Sequence, residues 1–211
     1  MIMERKSHWE HVYERKLPTQ VSWYQPRLAV SLELLARAGL HAQTRLIDVG
    51  GGASTLVDDL LEKGIRHLTV LDISGRALAA SKARLGDRAR EVDWIEADIT
   101  RVSLPRKYDI WHDRAVFHFL TDAADRRQYL KTMRGALKPD GQVIMATFSL
   151  QGPPRCSGLD VVRYSPATLQ AELGEDFRLA ETLEEQHHTP FNAVQHFVYC
   201  RFQEITHPAN L

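Results

Sequence analysis

The chain is expected to fold as one α/β domain, a doubly wound, mostly parallel seven-stranded sheet whose last strand pair is antiparallel. Three observations predict this. Short apolar runs alternate with helix-period segments five times before a final pair of strand-like runs. The first run, within LIDVGGGAS (residues 46–54), passes through an acid into three consecutive glycines and then a helix-like sequence. Two later runs also end in acids, Asp72 and Asp98, which puts a ligand site at the carboxyl edge of the sheet.

A chain of 211 residues can bury one full core and is short for two. Lys plus Arg equals Asp plus Glu at 27 each, so no charge excess draws the protein to nucleic acid or acidic membranes, and neither partner is expected. The two cysteines, Cys156 and Cys200, form no C-x-x-C pair, so no disulfide framework and no metal site is expected. The charged start MIMERKSHWEHVYERK is unlike a signal peptide, which makes a soluble, cytoplasmic protein, monomeric or homodimeric, the expectation.

In chain order, Ser7 to Lys16 reads as a helix, with Ser7 as N-cap, Glu10 three residues on, and Trp9, Val12 and Tyr13 on one face. Trp23 and Tyr24 follow in a Pro-flanked loop. Pro26 to Gly39 is a second helix striped by Leu28, Leu32 and Leu35, with Gly39 as its stop. Leu46, Ile47 and Val49 suit a strand covered on both faces. Gly50, Gly51 and Gly52 permit a positive φ and a close backbone approach to a ligand. A helix over Thr55–Lys63, a strand over His67–Leu71 ending at Asp72, a helix over Ser74–Leu85 and a strand over Val92–Glu96 come next. Lys107–Trp111 is the fourth strand, leading into His112, Asp113 and Arg114. A helix over Thr121–Leu137, with Thr121 as N-cap, precedes a fifth strand at Gln142–Phe148. Ser149–Tyr164 is a Gly/Pro-rich loop, Ser165-Pro166 opens a short helix, and Phe177–Leu183 and Val194–Phe202 are the last strands. His187 and His188 would diverge on a strand and lack the spacing of a metal site.

The glycine turn suits a dinucleotide or S-adenosylmethionine (SAM), and its residues discriminate. A G-x-G-x-x-G count from Gly50 reaches Gly52 but then Thr55. Asp48 would repel a pyrophosphate, whereas it complements a sulfonium and an ammonium. DVGGGAS resembles the first motif of class I SAM-dependent methyltransferases, D/E-x-G-x-G-x-G, with Ser54 in place of the last glycine. The match covers residues 44–148 and includes an LKPDG-plus-strand element similar to the family's LKPGG.

The resemblance implies a Rossmann-like sheet, SAM as cofactor and S-adenosylhomocysteine (SAH) as product. It assigns cofactor contacts to Asp48, Gly50, Gly51 and Gly52. Asp72 and Ile73 would lie beside the ribose, and Asp98 and Ile99, in an A-D-I triplet, beside the adenine. A carboxylate at the second strand end can accept both ribose hydroxyls, in SAM and nicotinamide cofactors alike. Residues just past the fourth strand sit beside the transferable methyl group in the family, making His112, Asp113 and His118 candidate bases or substrate contacts. Residues 1–25 would form a lid carrying Trp23 and Tyr24, aromatics that ordinary packing also explains. Residues 149–211 would form the substrate side, with Cys156, Arg163 and Tyr164 as candidates. The expected reaction is in-line methyl transfer to a nucleophilic heteroatom of a small molecule, a thiol among the acceptor classes. Protein lysine methylation is the rival, followed by a nicotinamide oxidoreductase and a non-catalytic SAM-binding module.

Overall fold

A computed structural model of the chain describes residues 2–205. Residue 1 and residues 206–211, the outer ends of the expected 1–25 and 149–211 segments, lie outside the described residues. The strands are β1 (Arg45–Val49), β2 (His67–Asp72), β3 (Val92–Glu96), β4 (Tyr108–Arg114), β5 (Leu137–Phe148), β6 (Arg155–Cys156), β7 (Leu159–Asp160), β8 (Phe177–His188) and β9 (Val194–Glu204). The helices are α1 (Ile2–Arg15), α2 (Ala29–Arg37), α3 (Leu56–Glu62), α4 (Gly75–Leu85), α5 (Ala123–Ala136) and α6 (Pro166–Leu173).

The seven-stranded sheet runs β3-β2-β1-β4-β5-β9-β8, with β9 antiparallel to both β5 and β8, while β6 and β7 form a separate ribbon. Strand order reverses between β1 and β4, where the sheet's carboxyl edge opens a crevice for a ligand. Alternation along each strand sends neighbours to opposite faces. Leu46, Ile110 and Ile144 pack with α2 and α3, whereas Ile47, Trp111 and Val143 pack with α5 and α6.

The expected architecture is present, but several boundaries move. Ser7 lies inside α1, not at its cap, because the preceding Met, Glu, Arg and Lys are good helix formers that carry the helix on toward the N-terminus. α2 starts at Ala29 and not at Pro26. The cap of α5 is Asp122 and not Thr121, since the Asp122 carboxylate accepts from the Ala124 amide at 2.7 Å. β8 and β9 run further than expected, leaving a short connection over 189–193, because β8 is the edge strand and its polar residues alternate toward solvent while it pairs with β9. The 149–164 loop contains the β6–β7 ribbon.

The most consequential change is in β4, which continues through His112, Asp113 and Arg114. Polar groups persist there because each finds a partner. On the α5 side the Trp111 indole donates to the Tyr129 hydroxyl at 2.8 Å, which donates to Asp113 at 2.5 Å. The Val116 amide adds a bond to Asp113 at 2.9 Å. Burial pushes the Asp113 carboxyl up to about 6 despite these bonds. Tyr129→Phe removes a donor from Asp113 and the acceptor of Trp111. It should cost roughly 1–3 kcal/mol, read as a lower urea midpoint with unchanged slope.

Candidate active site

At the carboxyl edge lies an open cavity of about 940 Å³, lined on its floor by Val49, Gly50, Asp72, Ile73, Asp98 and Ile99. Its roof is aromatic, built from Trp9 and Tyr13 of α1, Trp23 of the following loop and Phe119, with Cys156 and Leu159 from the ribbon. A second cavity of about 480 Å³ adjoins it around Asp48, Gly51, Tyr24 and His112. Four residues line both: Gly50, Tyr13, Trp23 and Arg114.

The glycine turn positions the acids. Gly50 has φ +72°, and a Cβ on it would strike Val116. A Cβ on Gly51 would lie 2.3 Å from a carboxylate oxygen of Asp48, and one on Gly52 2.4 Å from Asp72. The expectation that these glycines admit a ligand is thus modified, because the space of their missing side chains is filled by the protein's own carboxylates and Val116. Asp72 accepts from the Gly52 amide at 3.0 Å and the Ser74 amide at 2.8 Å. Burial still raises its carboxyl to about 7, with Asp48 adding repulsion. Asp98 accepts from the Thr100 amide and hydroxyl through one oxygen, while its other oxygen is buried without a partner.

Asp48 and His112 are register partners on one sheet face, and His112 Nδ1 lies 2.7 Å from the Asp48 carboxylate. Its Nε2 lies 2.9 Å from the Ser31 hydroxyl, so both ring nitrogens are engaged. His112 therefore orients Asp48, and as placed it offers no free nitrogen to a substrate.

Asp113 and His118 fall outside both cavities, correcting the expectation that they stand beside the reacting atoms. Strand alternation turns Asp113 to the opposite face from His112. His118 accepts from the Phe148 amide at 3.2 Å through Nδ1, and burial holds its pKa down at about 3. Tyr164 is also corrected: it is buried in the core beside Phe117, not at a cavity wall. Arg163 donates to the Leu150 and Gly152 carbonyls and shapes its loop. Cys156 lines the main cavity, its thiol raised by burial. His187 and His188 bind no common partner. His187 Nε2 donates to the Ser22 carbonyl at 2.7 Å, and the described residues contain no cluster of three metal-binding side chains.

Phe119 and Arg114 are wall residues that sequence reasoning did not single out, and Trp9 is one that it placed only on a helix face. Arg114 had one signal, a cation directly following a buried run and preceding AVFHFL.

A methyltransferase domain model matches residues 47–143. Nodulation protein S of Bradyrhizobium diazoefficiens is 25% identical over 141 residues, taking in 64% of this chain and 66% of that protein. An eEF1A lysine and N-terminal methyltransferase of Mus musculus is 24% identical over 98 residues, 46% of this chain. The chain thus spans just under two thirds of the first relative, at 66%, and 14% of the second. Among solved structures, the N-methyltransferase NodS of Bradyrhizobium japonicum WM9 in complex with SAH superposes with TM-score 0.70 at 20% identity, covering 93% of this chain and 98% of that one. The 1,6-didemethyltoxoflavin-N1-methyltransferase of Burkholderia thailandensis, with 1,6-didemethyltoxoflavin and SAH bound, gives 0.68 at 18% identity over 97% and 85%.

The residues present fit SAM. The free Asp98 oxygen suits an amine donor such as adenine carries, Asp72 keeps lone pairs for two hydroxyls, and Asp48 suits an ammonium. Asp72→Ala should weaken SAH binding by roughly 1–3 kcal/mol by calorimetry. In the wild type Asp72 is protonated below about pH 7 and accepts two hydroxyls only when ionised. SAH affinity should therefore rise as pH increases through 7 and level off above it, and Asp72→Asn should flatten that rise.

Proposed function

We propose that the chain is a class I SAM-dependent methyltransferase and that it methylates a nucleophilic heteroatom of a small molecule, with thiols first among the acceptors. The observation that carries the acceptor class is the absence of an available base at the roof of the cavity among the described residues. Trp9, Trp23, Phe119 and Leu159 do not titrate, the Tyr13 hydroxyl is pushed up by burial, and Cys156 is raised as well.

When bound, SAM supplies a methyl group already activated on a sulfonium. The chain's own residues then have three tasks. Asp98, with Ile99 beside it, would hold the adenine, Asp72 and Ile73 the ribose, and Asp48, steadied by His112, the ammonium. Tyr13 and Trp23 line both cavities, where an aromatic ring face would stabilise a sulfonium through its quadrupole. The apolar roof would orient the acceptor, which is the larger share of catalysis when the leaving group is good. An acceptor that presents a lone pair near neutral pH suits this site, and a thiol does so at less cost than a protonated amine.

Residues 1–25 act as a lid in this reading, with 44–148 as the cofactor-binding core and 149–211 contributing the ribbon. Ion pairs support the lid. Arg5 meets Asp125, Lys6 meets Glu96, and Glu10 caps α4 by accepting from the Gly75 amide at 2.6 Å. The balanced charge supports action without nucleic acid, and a cytoplasmic monomer or homodimer completes the reading. No helix among the described residues is long and apolar enough to cross a membrane. The mouse relative's name favours lysine as a second reading, which the lack of a free base at the roof opposes. The Asp48 charge likewise opposes a nicotinamide cofactor.

Incubation with tritiated-methyl SAM and a host-cell extract should place label in the small-molecule fraction, and prior treatment of that fraction with N-ethylmaleimide should abolish it. Label in protein would send the acceptor search to lysines.

A further inference from the structure

Ser31 stands in the first turn of α2 with no exposed surface, and its hydroxyl lies 2.9 Å from His112 Nε2. A buried hydroxyl must place its proton on an acceptor. Serine in a helix often gives it to the carbonyl one turn back, yet among the described residues His112 Nε2 is the one partner of the Ser31 oxygen. The hydroxyl therefore donates to Nε2, which carries a lone pair and not a proton. At the other end of the ring, Nδ1 lies 2.7 Å from Asp48 Oδ1, and an ionised carboxylate can only accept, so Nδ1 carries the ring's single proton. A hydroxyl, a neutral imidazole and a carboxylate thus stand in line from α2 through β4 to β1, with the His112 and Asp48 side chains 1% and 6% exposed.

The charge of this line matters to what binds beside it. Asp48 and His112 both line the second cavity, and Asp48 Oδ2, the oxygen that His112 does not take, lies against Gly51 at the turn. Were His112 an imidazolium, its charge would cancel that of Asp48, and an ammonium entering the cavity would meet a neutral pair with a cation close by. With His112 neutral, the line keeps a full negative charge at Asp48. We propose that Ser31 is a positioning residue for the cofactor: by donating to Nε2 it holds His112 neutral and fixed in plane, so that Asp48 meets the ammonium of the amino-acid half of SAM as an uncompensated anion. This rests on the reading above that Asp48 takes that ammonium. Ser31 lines neither cavity and acts only through the ring. Without its hydroxyl, Nε2 is left buried with an unmet lone pair, and the ring is held at one end only, free to tilt and carry the carboxylate with it.

The test compares two ligands by calorimetry on the alkaline side of neutral, where Asp72 is ionised. SAH carries the ammonium, whereas 5′-deoxy-5′-methylthioadenosine lacks the whole amino-acid half and keeps adenine and ribose. The wild type should prefer SAH, and Asp48→Asn should abolish that preference. Ser31→Ala should bind SAH about tenfold more weakly and the truncated nucleoside within about twofold of the wild type. Ser31→Cys, a weaker donor of similar size, should fall between. In protein carrying nitrogen-15 histidine, the His112 signals, identified by their absence from His112→Asn, should show a protonated Nδ1 and a bare Nε2. A doubly protonated ring, a proton on Nε2 alone, or unchanged SAH affinity in Ser31→Ala would each overturn the assignment. Equal loss of both ligands would do so too, by making Ser31 a part of the scaffold only. Should Ser31→Ala not fold, the wild-type nitrogen signals and Ser31→Cys decide. Failure of the Asp48 reading appears separately, as a preference for SAH that Asp48→Asn leaves intact.

Discussion

A carboxylate taken out of water must be met by donors, and this sheet buries or half-buries four of them along one edge, Asp48, Asp72, Asp98 and Asp113. Much of the local structure answers that demand. Gly52 turns its amide to Asp72, and its lack of a Cβ lets that carboxylate close in. His112 sits opposite Asp48 in register, so a strand pairing delivers the donor. Tyr129 is brought by α5 to Asp113, and that acid becomes part of the core. Asp98 is the exception, with one oxygen supplied by Thr100 and the other left unmet. The difference between a scaffold acid and a ligand acid is here a difference in how completely the protein itself satisfies it.

The cavity is divided electrostatically by the same geometry. Acids occupy its floor and the second cavity, where SAM would be held, while the roof offers aromatic rings, a neutral thiol and the Arg114 guanidinium. Such a division separates the carboxylates that would face a cationic cofactor from the largely apolar wall above them. It also explains why a histidine in the wall need not be a base. His112 spends both nitrogens on Asp48 and Ser31, and its service is to hold a charge still.

The strand and helix sequence of the central region was legible because buried parallel strands are continuous apolar runs and the glycine turn interrupts them sharply. The acids at strand ends were legible for the same reason. What could not be read was which polar residues of KYDIWHDR share a face with which neighbours. The run looked finished at Trp111, yet His112 and Asp113 continue the strand and point to opposite layers, each made acceptable by a partner distant in sequence, Ser31 and Tyr129. Arg114 was overlooked for a related reason, since its environment is assembled from Trp23, Glu185, Phe197 and Tyr199. Ser7 misled in the other direction, its capping pattern being overridden by good helix formers before it.

The roof also joins the two ends of the chain. Ser22 gives its carbonyl to His187, Gln25 reaches Glu185 and His187, and the Trp23 carbonyl is held by Arg114 under the β8–β9 pair. The Trp23 stretch therefore meets these partners only where β8 and β9 are in place, whereas α1 is held by Asp125, Glu96 and the Gly75 amide of earlier elements. The β8–β9 pair thus works as a clasp on one stretch of the roof, so loosening it would free the Trp23 loop while leaving α1 and the cofactor floor where they are.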